Sequence, residues 1–110
     1  MARELTQYPE IYLSKGMTGM VDFDLSDYEM NDGKIVFAMG QKGSERNMFV
    51  EEMTTQDIHT IVFPADFCAD LSTGKQYEYD LTWQKDDVRV PVCAPSPIIV
   101  QRSIGGVDRG

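Results

Sequence analysis

Alternation of apolar and polar side chains with a period of two runs through most of this chain. It is clearest where Tyr77, Tyr79, Leu81 and Trp83 take every second position, with Gln76, Glu78, Asp80, Thr82 and Gln84 between them. Successive strand side chains point to opposite sheet faces, so this spacing predicts a β-strand with one buried, aromatic face. The polar run Gln84-Lys85-Asp86-Asp87 predicts a reversal, and Val88, Val90 and Val92 resume the alternation. The stretch reads as a β-hairpin.

The same reasoning extends upstream. Glu10 to Leu13 predicts a short strand, ended by the turn residues Ser14-Lys15-Gly16. Val21, Phe23 and Leu25 share one face of the next strand, and Asp22 and Asp24 the other. Residues 26–33 form a polar connection, whose closing Asn31-Asp32-Gly33 predicts a tight reversal. Ile35, Phe37 and Met39 then alternate with Val36 and Ala38; with apolar residues on both faces, this predicts a central strand. After a second turn at 40–45, residues 47–53 predict an edge strand, although Glu51, Glu52 and Met53 are also good helix formers.

Residues 54–63 predict a further strand, with Ile58, Thr60 and Val62 opposite His59, Ile61 and Phe63; Pro64 ends it. Only 65–71 looks helical, as a short turn in which Phe67 and Leu71 cover one end of a sheet. Pro95-Ser96-Pro97 interrupts the return arm of the hairpin, and Ile98-Ile99-Val100 follows as a final strand that the prolines push toward an edge. Seven or eight short strands with so little helix predict an all-β protein, an antiparallel sandwich or barrel. The spacing from Leu71 through Gly74 to Tyr77 resembles a tyrosine corner, in which a tyrosine at the start of the penultimate strand bonds to upstream backbone. This favours an immunoglobulin-like β-sandwich, with an end-covered barrel as the alternative. The expected organisation is an arm at 1–8, one domain at 9–103 and a glycine-rich tail at 104–110.

Composition narrows the function. At 110 residues the chain fits one domain, and apolar and charged fractions of 42% and 25% are those of a globular one. Ten Lys and Arg against eighteen Asp and Glu give a net charge of −8, which disfavours nucleic acid and anionic membrane surfaces as partners. No stretch reaches the roughly 18 apolar residues of a membrane span, and the amino terminus lacks a signal-peptide pattern. Synthesis as a soluble protein in a cytoplasm is the expectation. Cys68 and Cys93 then read as two free thiols near the core, with a disulfide between them left open.

Candidate chemistry is sparse. His59 with Cys68 or Cys93 has the residue types of a base and a thiol nucleophile, but nothing in the sequence brings them together, so no catalytic residue is expected. The acidic group Asp22, Asp24, Asp27, Glu29 and Asp32 has the oxygen chemistry of a calcium site. It lacks the spacing of a calcium-binding loop and reads instead as a solvated face; neither metal nor cofactor is expected. The seven methionines, Met1, Met17, Met20, Met30, Met39, Met48 and Met53, suit core gap-filling or an adaptable contact surface. Met48 and Met53, beside Phe49, are the expected contact residues. The backbone edges of 47–53 and 98–102 are expected to be open to a neighbouring strand.

Gly74-Lys75-Gln76-Tyr77-Glu78-Tyr79-Asp80-Leu81, followed by a polar turn, a return strand and Pro97-Ile98-Ile99-Val100, resembles a module of tailed-bacteriophage structural proteins. In these small immunoglobulin-like domains a G-x-Y-x-Y-D-hydrophobic strand leads into a hairpin and a valine-rich last strand. They occur at the N-terminus of baseplate upper proteins and in tail or neck proteins of phages and prophages. Lys15-Gly16-Met17-Thr18 is similar to that module's opening, and the likeness covers most of 10–103. The Cys93-Ala94-Pro95-Ser96-Pro97 stretch departs from the pattern. The resemblance implies a non-enzymatic virion protein of the tail or baseplate that contacts other virion proteins or further copies of itself. The alternative is a free-standing recognition domain for a bacterial-surface glycan or host protein, with Tyr8, Tyr12 and Tyr28 as a stacking platform.

Overall fold

A computed structural model describes residues 10–25, 33–53 and 58–102, apart from the side chains of Cys93 and Ala94. The protein is all-β. Its strands are β1 (Ile11–Ser14), β2 (Gly19–Asp24), β3 (Lys34–Gln41), β4 (Phe49–Met53), β5 (Ile58–Phe63), β6 (Tyr77–Lys85) and β7 (Val88–Gln101). One short helix, α1 (Ala65–Ala69), joins β5 to β6. A five-stranded sheet in the order β1-β7-β6-β3-β4 faces a two-stranded sheet of β2 and β5 in a sandwich-like arrangement. The predicted arm at 1–8 and tail at 104–110 lie outside the described residues.

The second and fifth strands face the third, sixth and seventh, as they do in an immunoglobulin-like sandwich. β4 extends the larger sheet beside β3. The fold departs from a purely antiparallel arrangement at β1, which runs parallel to β7 with Ile11 opposite Ile98 and Leu13 opposite Val100.

Alternation sends the expected residues inward. Phe23, Leu25, Ile35, Phe37, Met39, Ile61, Phe63, Tyr77, Tyr79 and Leu81 are all buried, in one cluster contributed by both sheets. Antibody domains join their sheets at this centre with a disulfide packed on a tryptophan. Here three aromatic rings take that place. Tyr79 stacks on Phe37 at 5.3 Å, Phe23 meets Tyr79 edge-on at 5.8 Å, and Phe23 lies 5.7 Å from Phe37. Such pairs contribute about 0.5–1.5 kcal/mol each beyond their burial, so the sheets are tied together without a covalent link.

The predicted tyrosine corner forms: the Ser72 backbone N–H donates to Tyr77 Oη at 2.9 Å. α1 turns the chain back toward β6, and its Phe67 packs 5.5 Å from Phe49 and 6.2 Å from Phe63, closing the inner face beside β4. The hairpin also forms, with Lys85 opposite Val88 and Asp86 at a φ of 52° in the tight turn.

The reversal expected at 26–33 falls, but for Gly33, outside the described residues; β2 pairs with β5 and β3 with β4 and β6, so the strands on either side of it belong to different sheets. Two expectations need correction. Pro95 and Pro97 do not divide the last strand: β7 is continuous from Val88 to Gln101. Its register against β6 shifts between Tyr79 and Leu81 and again between Leu81 and Thr82, and these bulges take up the extra residues. Finally, 98–101 is internal rather than at an edge, because β1 pairs with it. The prolines precede the point where β1 begins to pair, so their missing N–H groups cost no bond on that side.

Candidate interaction surface

Cys68, His59 and Asp22 each make a contact within the fold. Cys68 is a buried free thiol on α1, 3.9 Å from the Phe63 carbonyl. Burial raises its pKa, with a smaller opposing effect from a hydrogen bond to the Gly19 backbone. An activated cysteine needs the opposite shift, toward thiolate. His59, half-buried on β5, shares a hydrogen bond through Nε2 with Glu51 of β4 and so bridges the two sheets. The Cys93 side chain lies outside the described atoms.

In the acidic group, Asp22 Oδ1 accepts a hydrogen bond from Thr60 Oγ1 on the neighbouring strand, while Asp27, Glu29 and Asp32 lie outside the described residues. Among the described residues no three His, Cys, Asp or Glu side chains group to hold a metal ion, and no helix is long and apolar enough to cross a membrane. Tyr12 is exposed and donates to Glu10 Oε2 at 2.6 Å; that bond, with the nearby carboxylate charge, raises the phenol pKa. Tyr8 and Tyr28, its proposed companions, fall outside the described residues.

The methionines divide. Met39 and Met53 are fully buried, which removes Met53 from the expected contact surface, whereas Met17, Met20 and Met48 are exposed. Met1 and Met30 are not among the described residues. β4, as expected, is an edge strand. Its acidic side chains are both engaged, Glu51 with His59 and Glu52 with Lys34.

Two surfaces combine apolar area with charge. The first is the outer face of β2 and β5. Cross-strand partners share a sheet face, so Met20 lies beside Val62, Asp22 beside Thr60 and Asp24 beside Ile58. Met20 is 69% exposed and Ile58 61%, more than any other large apolar residue described. The second is a concavity of about 480 Å³ at one end of the five-stranded sheet. Pro95, Pro97 and Ile99 give it apolar walls, and Lys42 and Lys75 lie among its lining residues. The Lys42 N–H bonds to the Gln76 carbonyl at 2.8 Å, and the Lys75 N–H to the Ser72 carbonyl at 3.3 Å, so both lysines stand on hydrogen-bonded backbone next to the tyrosine corner.

A smaller pocket of about 100 Å³ lies nearby, lined by Arg46, Glu78 and Asp80 among others. Burial, and secondarily the Glu78 charge, raises the Asp80 pKa.

Sequence reasoning did not single out Met20, Ile58 and Val62 as a surface. The signal was present in the period of two that puts them on one face with Asp22 and Thr60, but Ile61 and Phe63 are as apolar as Ile58 and Val62. Only the pairing of β2 with β5 decides which set faces outward.

No known protein-family model matches the chain, and no curated protein matches it significantly.

Proposed function

We propose that this protein is a non-enzymatic structural module of a phage or prophage particle, positioned in the tail or baseplate, where it holds virion proteins together. The observation that carries the reading is the Gly74–Leu81 stretch, which resembles the module of such particles. In this chain it forms the sixth strand and its corner, with Tyr77 holding the Ser72 N–H and Tyr79 in the aromatic centre. The resembling residues are therefore those on which the scaffold depends. Exposed apolar side chains on β2 and β5 suit a protein that works by contact, since apolar surface of that kind marks interaction sites.

The genes beside its coding sequence test the assignment. Capsid, tail or lysis genes on either side are expected; a neighbourhood without them removes the phage assignment and leaves the fold intact. The exposed ring of Tyr12 favours one second reading, recognition of a bacterial-surface glycan or host protein. Binding on a glycan array that is lost on Tyr12→Ala would support this reading, and silence across a broad array would reject its glycan form.

A further inference from the structure

The two charged surfaces lie on opposite faces of the sandwich. Tyr77 and Ile98 point into the core, so their neighbours Glu78, Pro97 and Ile99 face outward from the five-stranded sheet, and all three line the concavity. Met20, Ile58 and Val62 face outward from the two-stranded sheet. One surface offers the Lys42 and Lys75 ammonium groups, with the Glu78 carboxylate beside them, over proline and isoleucine. The other offers the Asp22 and Asp24 carboxylates among methionine, isoleucine and valine. On a chain of net charge −8, two lysines lining one concave surface are the less common of the two features.

We propose that the Lys42/Lys75 concavity of one copy receives the Asp22/Asp24 face of β2 and β5 from a second copy. The inference rests on the reading of the protein as an assembly module and names its partner as this chain itself. Charge complementarity selects the occupant: two lysines against one glutamate leave the concavity net positive and they meet aspartate, whereas the aspartate face set against its own kind brings like charges together. Apolar residues on both sides supply the area that association buries. Because the surfaces differ and lie on opposite faces, one molecule cannot satisfy both with itself. The contact is head-to-tail, and it continues until the rotation between copies closes a ring or leaves an open filament.

Light scattering on the full chain across a concentration series tests this. Species larger than a monomer are expected, weakened by salt because the pairing charges are exposed. The paired variant Lys42→Glu/Lys75→Glu has two acidic surfaces and Asp22→Lys/Asp24→Lys two basic ones, so each alone is expected to lose about tenfold or more in association. Mixing the two variants restores complementary surfaces and is expected to restore assembly. A wild-type protein that stays monomeric throughout, association unchanged by either variant, or a mixture that stays dissociated would overturn the proposal. The lysine variant changes only exposed positions in turns, so it stands as a test even where the strand variant unfolds, and circular dichroism identifies that case. Self-association without incorporation into particles would reject the phage assignment alone; incorporation of a strictly monomeric protein would reject this contact alone.

Discussion

Tyr77 carries the most local information of any side chain described. Its hydroxyl is the partner of the Ser72 N–H, and its ring is buried under the start of β6. Tyr77→Phe keeps the ring and removes the acceptor, so denaturant unfolding is expected to show a loss of about 1 kcal/mol, the net worth of one such bond. Asp80 acts in the opposite sense. Its raised pKa means that the folded state holds the proton more tightly than the unfolded chain does. Stability from this group therefore falls as pH rises from the ordinary aspartate value of about 3.9 through the raised folded value. Asp80→Asn removes the titration. The variant is expected to be more stable than the wild type at neutral pH, by less than about 1 kcal/mol because the side chain is partly exposed. The difference should shrink as pH falls below the carboxylate range. Thermal melts of both proteins between pH 3 and 7 measure it, and a constant difference would contradict the assignment.

At the scale of elements, backbone approach matters as much as side-chain pattern. A Cβ on Gly40 would stand 2.6 Å from the Arg46 carbonyl oxygen, so the end of β3 and the segment leading into β4 pack backbone to backbone. Gly40→Ala is expected to cost about 1–3 kcal/mol, as overpacking does, and to loosen β4 first in hydrogen exchange.

Most strands were legible because alternation is a local property. β2, β3, β5 and β6 fall on the stretches where Val21/Phe23, Ile35/Phe37, Ile61/Phe63 and Tyr79/Leu81 repeat. Pairing was less legible, because it joins residues distant in the chain. Nothing beside Asp32-Gly33 indicates that the flanking strands belong to different sheets. Proline spacing suggested a broken strand at 95–97, where bulges against Leu81 and the late start of β1 keep β7 whole. The meeting of Phe23, Phe37 and Tyr79 was hidden for the same reason: each reads locally as an ordinary inward residue. The two candidate surfaces were harder still. Each draws on separate segments, the concavity on 42, 73–78 and 95–100, the opposite face on 20–24 and 58–62.

For the whole molecule, a β-sandwich held by aromatic packing forms the scaffold, and two of its surfaces combine exposed apolar side chains with charge. The buried thiol and the engaged histidine belong to that scaffold. The central claim is that the protein functions as a part of an assembled particle. Mass spectrometry of phage particles, purified by density gradient after induction of the strain that encodes the chain, addresses it most directly. The account predicts peptides of this protein in the particle band, in constant ratio to the tail proteins across the gradient. Its presence in the soluble lysate and absence from intact particles would contradict the account.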